Sequence, residues 1–322
     1  MDKNINIELE AVACPICDSK KSERVSSRGY MGLPCFVSIC QNDGMVFLNP
    51  RWKKERYQHF YQHEYDLFYR PEVLANEPED LKYQSIREIV ARISESGEIP
   101  SHLHSVLDVG AGMGWSLCFL KSNYAQFKYF SAVESSVFCL RNLKDLVGAN
   151  IIAANAEEEW KEDVKYDLIL MRHVFEHFLD LKMVMKNVSE HLSENGIIYV
   201  EVPDMMNPCG SLYDYWFRNV HTYYFSRDTL FDVMSKSGFV AVKQGAENAN
   251  LWGIFKKSAS TDVLSEKFAS EITFHQQKKV IKFQKRMNFL FELTEKCRFC
   301  VKKALPSRLI EIIRSMRRLI GR

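Results

Sequence analysis

The stretch Ser105-Val-Leu-Asp-Val-Gly-Ala-Gly-Met-Gly-Trp115 constrains this chain most, because an apolar run there breaks into three alternating glycines before an apolar helical pattern begins. The order predicts strand, tight turn and helix. Gly110, Gly112 and Gly114 permit a sharp turn and let a ligand reach main-chain N–H groups that Cβ atoms would shield. Asp108 puts a carboxylate at the strand's C-terminal end, where open α/β sheets bind their ligands. A second apolar strand, Tyr129-Phe-Ser-Ala-Val-Glu134, also closes on an acid.

Glycine-rich turns after a first strand occur in nicotinamide and flavin folds too, with the spacing G-x-G-x-x-G. Here the glycines fall as G-x-G-x-G, with Asp108 two residues before the first and Glu134 ending the next strand. This combination resembles the class I S-adenosylmethionine-dependent methyltransferases. The resemblance implies that the glycine loop passes the methionine part of S-adenosyl-L-methionine and that Glu134 takes both ribose hydroxyls. The implied cofactor-binding set is Asp108, Gly110, Ala111, Gly112, Gly114, Glu134, Ser135, Asn155, Ala156 and Arg172. Asn155 or Glu157 stands where the family bonds the adenine amino group; Asn155 is favoured by position, and a turn residue is the competing reading.

Apolar positions Leu81, Ile86, Ile89, Val90 and Ile93 recur with helical period over 79–95, and Gly97 stops the run. Further helices are expected at Trp115–Tyr124, Ser136–Leu146 and Arg227–Lys236, the last capped by Ser226 and stopped by Gly238. Strands are expected at Asn150–Ala154, Tyr166–Met171 and Ile197–Val202, with a hairpin of Phe239–Gln244 and Leu251–Lys257. Alternating strands and helices predict a parallel sheet, and the hairpin adds an antiparallel strand. The expected fold is α/β: a Rossmann-like seven-stranded methyltransferase sheet with an antiparallel last strand, a small N-terminal cysteine module and a helical C-terminal tail. The expected domains are a cysteine module (1–50), an aromatic-rich helical linker (51–104), the methyltransferase domain (105–258) and a basic tail (259–322).

The formal net charge of +2 hides an asymmetry, since residues 261–322 carry 15 Lys/Arg against 6 Asp/Glu and the rest is left at −7. A body of that charge lacks the broad basic footprint of a nucleic-acid binder. No apolar run approaches the ~20 residues of a membrane span, and the start lacks the order of a signal peptide, so a cytoplasmic protein is expected. Its nine cysteines are then read as metal ligands or buried thiols, not bridges.

Cys14-Pro-Ile-Cys17 and Cys40-Gln-Asn-Asp43 read as one complete and one incomplete knuckle of a zinc ribbon. The expected ligands of a structural Zn2+ are Cys14, Cys17 and Cys40, with Asp43 or Cys35 fourth; a ribbon without metal is the alternative. The segment after it, Gly44 to Arg51 and the aromatic stretch Tyr57 to Tyr69, looks like the join between cysteine module and catalytic domain in a subgroup that includes sugar and surface-polysaccharide methyltransferases. Tyr61, Tyr65, Tyr69 and Arg70 suggest cover over the cofactor's amino-acid end, and core packing of a helix is the other reading.

Arg172-His-Val-Phe-Glu-His-Phe-Leu-Asp180 resembles the family's H-x-x-E-H segment on the cofactor's catalytic side. A zincin-like metal site there fails on spacing, because H-E-x-x-H needs two histidines four apart and His173 and His177 straddle Glu176. A loop-holding role for Glu176 and His177 stands beside a direct role in the cleft. His221-Thr-Tyr-Tyr-Phe-Ser226 is similar to an element of the family's sugar carbon-methyltransferases, but Asn219 and Val220 replace the second His and the Glu that precede it there, which argues against carbon methylation. His221 is the first candidate for general base, followed by His173 and His177, and Tyr213, Tyr215 and Trp216 are expected near it as a stacking surface.

In the tail, helices are expected over about 266–303 and 307–319. The second carries an apolar stripe of Leu309, Ile312, Ile313, Met316 and Ile320 with Arg308, Arg314, Arg317 and Arg318 mostly off it. Such a helix suits the membrane's inner face, a partner, or a cap on the domain. Inside the first, Cys297-Arg-Phe-Cys300 reads as packing. The expected activity is methyl transfer to a small acceptor, a sugar or sugar nucleotide of surface-glycan synthesis. A nicotinamide oxidoreductase and a non-catalytic scaffold of polysaccharide assembly are the competing classes.

Overall fold

The computed structural model describes residues 8–65, 68, 79–97, 103–160, 163–258 and 268–304. Its centre is a seven-stranded sheet built from β6 (Ser105–Val109), β7 (Tyr129–Val133), β8 (Asn150–Ala153), β9 (Tyr166–Arg172), β10 (Leu192–Pro203), β12 (Phe239–Glu247) and β13 (Asn250–Lys257). Their order across the sheet is β12-β13-β10-β9-β6-β7-β8, and β13 runs antiparallel to both its neighbours while the pairs from β10 to β8 are parallel. The chain builds the sheet outward from β6 first on one side, through β7 and β8, and then on the other, through β9 and β10, and this change of side makes the switch point at which such sheets bind ligands.

Alternation along the strands sorts the two cores. On β9, Leu168 and Leu170 face the layer holding Ile86, Ile89 and Leu117, while Ile169 and Met171 face the layer holding Val184, Val188 and Phe231. The first layer is α2 (Glu79–Glu95) and α3 (Trp115–Asn123); the second is α5 (Leu181–His191) and α6 (Arg227–Lys236). Between them in sequence, α4 (Val137–Asn142) runs on into a wider π-helical turn at Leu143–Val147, so the expected Ser136–Leu146 helix is of two kinds. Strand β10 begins five residues earlier than expected, with a register shift between Leu192 and Ile197. Ser226 caps α6 by accepting from Thr229 N–H, and Thr229 returns the bond in a capping box. The β12–β13 turn puts both Asn248 and Ala249 at positive φ, as a two-residue hairpin loop demands.

The N-terminal segment forms a second sheet, of order β11-β4-β3-β2, from β2 (Ser22–Arg28), β3 (Pro34–Cys40) and β4 (Val46–Leu48). Its fourth strand, β11 (Tyr223–Tyr224), comes from the loop after β10, so the two sheets share one connection. A short pair, β1 (Leu9–Glu10) with β5 (Arg51–Trp52), leads into α1 (Lys54–His63). The tail helix α7 (Glu271–Ala304) docks its first turns on this assembly: Phe274 and Ile281 join the small sheet's core, Gln277 donates to Ser226 Oγ at 3.0 Å, and Thr273 donates to Asp228. Tyr69 and Arg70, and the second tail helix with its stripe, lie outside the described residues.

Candidate functional site

The glycine loop leaves β6 with Gly110, Gly112 and Gly114 all at positive φ. Gly110 needs that freedom twice over, since a Cβ there would also meet Val174 Cγ2 at 2.6 Å. Gly112 donates its N–H to Glu134 Oε2 at 2.6 Å, and Ser136 N–H donates to Glu134 Oε1 at 2.7 Å. One carboxylate therefore ties the first turn to the second. The carboxylate lines the cleft and, when ionised, can only accept hydrogen bonds. Behind the loop, Gly114 packs on Leu143 and Val147 and does not line the cleft.

Glu134, Ser135, Gly110, Tyr61, Val174 and His177 line two adjoining cavities. The smaller, about 310 Å³, adds Asn155, Ala156 and Val133. The larger, about 690 Å³, adds Asp108, Ala111, Gly112, Arg172, His173, Glu176 and His221. The cleft thus gathers every residue of the sequence-derived cofactor set except Gly114. Asn155 Oδ1 accepts from Glu157 N–H at 2.9 Å in an Asx turn, and Glu157, which lines the smaller cavity too, accepts from Leu179 and Asp180 N–H, which sets the β8 and β9 exits against each other. Burial and the neighbouring Glu134 charge push the Asp108 carboxyl up to about 7.

At the far wall the β9 exit turns sharply. His173 stands at φ 49° and gives its N–H to Glu201 O, a strained conformation for a residue with a side chain. Its Nδ1 lies 3.5 Å from Glu176 Oε1 and its Nε2 3.7 Å from Glu201 Oε1. Glu201, an acid inside the apolar strand β10, went unread in the sequence for want of a spacing signal. The fold holds its other oxygen with Arg92 Nη1 at 2.9 Å and Tyr199 Oη at 2.6 Å, and Arg92 lies over the Trp252 ring.

His177 Nδ1 is 2.9 Å from the Val220 carbonyl and 2.9 Å from Tyr61 Oη. A carbonyl only accepts, so Nδ1 carries the proton and Nε2 the lone pair. The His221 ring meets His177 edge-on at 4.8 Å between centroids. Burial and His177 push the His221 imidazole well below its ordinary value, so it is neutral at neutral pH. Burial alone would raise Glu176, but His173, His177 and His221 outweigh it and hold the carboxyl below the usual range. Tyr215 and Trp216 line the same lobe; Tyr213 does not, turning instead towards Arg28 and Lys285.

The cysteine cluster is a separate place. The ligand atoms of Cys14, Cys17, Cys40 and Asp43 all lie within 4.8 Å of one another, with Cys17 Sγ 3.6 Å from Cys40 Sγ and Cys14 Sγ 3.2 Å from Asp43 Oδ2. Cys35 is buried apart, its Sγ against Gly29.

The profile of a family described as a methyltransferase domain matches residues 57–244. The chain is similar to (S)-coclaurine N-methyltransferase from Thalictrum flavum subsp. glaucum, 26% identical over 104 residues, which is 30% of this chain and 28% of that enzyme. Among solved structures it is similar to an S-adenosylmethionine-dependent methyltransferase from Clostridium acetobutylicum ATCC 824, at 14% identity and TM-score 0.45, covering 61% of this chain and 97% of that one. The plantazolicin methyltransferase BpumL gives 13% identity and TM-score 0.47 over 63% of this chain and 98% of that one. With more than half of its length matched by that profile, and a seven-stranded sheet whose only antiparallel member is the last strand, the chain belongs to the S-adenosylmethionine-dependent methyltransferases of class I.

Proposed function

We propose that this enzyme methylates a hydroxyl of a small, sugar-like acceptor bound in the larger lobe, with the cofactor lying across the glycine loop and its adenine in the smaller lobe. Bound S-adenosylmethionine supplies a methyl group made electrophilic by its sulfonium. In this reading Glu134 accepts from both ribose hydroxyls, and Asn155 faces the adenine. Tyr61 and Tyr65 close the lobe beside His177, excluding water from the transfer path. A hydroxyl must lose its proton as it attacks, and the His173–Glu176–His177–His221 group is the place to which that proton passes.

The observation that carries the acceptor class is Trp216. Its ring is buried at the lobe wall, and its Nε1–H, which can only donate, has no hydrogen-bond partner among the described residues. Beside it stand the Tyr215 ring and the side chains of Arg218, Asn248 and Asn250. Aromatic faces with several donors match a polyol, which offers oxygens at its edge and C–H groups on its face. Surface-glycan synthesis is the setting this acceptor fits. The test is a panel of sugar nucleotides, free sugars, amines and phenols with the cofactor, reading S-adenosylhomocysteine formed. Turnover confined to hydroxylated sugars supports the reading, and turnover confined to amines removes it.

We also infer a structural Zn2+ at Cys14, Cys17, Cys40 and Asp43. Thiolates around zinc at ~2.3 Å stand roughly 3.8 Å apart in a tetrahedron, close to the Cys17–Cys40 separation. Asp43 Oδ1 accepts from Met45 N–H at 2.9 Å, which aims the carboxylate at the thiols.

A further inference from the structure

The H-x-x-E-H spacing excludes a metal site made within the β9 exit alone, but the fold adds a third ligand from another loop. The ligand atoms of Glu176, His177 and His221 lie within 4.8 Å of one another on the wall of the acceptor lobe. We propose that these three side chains bind one divalent first-row transition-metal cation, in a site separate from the cysteine cluster. The proposal rests on the reading above only for where the acceptor sits.

Three features of the site carry it. Glu176 is 1% exposed and its Oε2 has no hydrogen-bond partner among the described residues, a costly state for a carboxylate whose only task was to hold the loop. The loop is held by other means: Thr222 Oγ1 donates to the backbone carbonyls of Glu176 and Phe178, not to the carboxyl. His177 is oriented as a ligand, with Nδ1–H given to a backbone carbonyl and Nε2 turned to within 3.9 Å of Glu176 Oε1. The third feature is His221, whose imidazole makes no hydrogen bond among the described residues and meets the His177 ring edge-on.

Ligand atoms at ~2.1 Å from one ion stand roughly 3–4.2 Å apart, so small side-chain rotations close the set. Two imidazoles and one carboxylate suit manganese, iron or cobalt better than magnesium, and three ligands leave positions open to the lobe. An acceptor oxygen entering one of them would be acidified there, its O–H proton passing to His173, which stays outside the ligand set. His221 is then a ligand and not the base.

Mn2+ alone is the probe, because it favours nitrogen and oxygen donors and leaves the thiolates of the cysteine cluster to zinc. Binding to the full chain is followed by electron paramagnetic resonance with S-adenosylhomocysteine present, and cofactor affinity is measured on the same samples. The expected result is about one Mn2+ per chain, held at least ~10-fold more weakly by His221→Ala and by Glu176→Gln with cofactor affinity kept. If Glu176→Gln does not fold, His221→Ala decides. Failure of the wild type to take up Mn2+, or uptake unchanged in His221→Ala, overturns the proposal. Cofactor binding and methyl transfer that persist without the ion would leave the methyltransferase reading standing.

Discussion

Glu134 carries two loads, closing the glycine loop on Gly112 and Ser136 and, in the proposed complex, holding the ribose. Charge-assisted hydrogen bonds are worth ~1.5–3 kcal/mol each, so Glu134→Ala is expected to weaken cofactor binding at least ~10-fold in calorimetry. Unchanged affinity would remove the ribose assignment. Asp108 tests the site by pH. Its folded-state value, about 7, lies above the ordinary 3.8, so between these values the folded protein holds a proton that the unfolded chain has released. Stability without cofactor therefore falls as pH rises from ~4 to ~7, by at most roughly 4 kcal/mol from this group. Asp108→Asn should flatten that slope in urea unfolding followed across pH; an unaltered slope would mean that the carboxyl is ionised throughout.

Among the elements, α7 depends on a glycine in another part of the chain. Gly44 stands at φ 79°, and a Cβ there would lie 2.5 Å from Phe274 N. Gly44→Ala would strain its own turn and push the helix away from the small sheet, at a cost of about 2 kcal/mol or more. The predicted readout is a lower unfolding midpoint together with faster amide exchange in α7, and an unchanged midpoint would show that α7 does not seat there. A second element, β11, ties the cleft to the N-terminal sheet. It pairs with β4 one residue beyond Thr222, so that sheet sets where His221 stands.

For the whole molecule, the expectation is that the cysteine cluster acts as a staple. Protein purified without chelator should contain about one zinc per chain; Cys17→Ser should lose it, and Cys35→Ser should keep it. Because Lys236 Nζ donates to Ile16 O and Lys182 pairs with Asp18, the cluster is braced on α6 and α5. Chelation should therefore lower the unfolding temperature of the catalytic sheet as well. Less than about a tenth of an equivalent of zinc would mean the thiols pack without metal. Among the described residues no helix is long and apolar enough to cross a membrane.

Local chemistry made much of this readable in advance. Strand and helix periods, the Ser226 cap and the three glycines each act within a few residues, so the seven-stranded sheet and the acids at its first two strand ends could be read from the chain alone. The choice between Asp43 and Cys35 could not, because both lie near the knuckle in sequence and only the pairing of β3 with β2 and β4 buries Cys35 elsewhere. Tyr213 was expected beside Tyr215, yet the π-helical turn at Leu212–Trp216 sends the two rings to different sides. Glu201 and the grouping of Glu176, His177 and His221 show the same limit. Periodicity and spacing report on neighbours along the chain, whereas a site that joins Glu176 and His177 to His221, 45 and 44 positions further on, exists only once long-range packing has placed two loops on one wall.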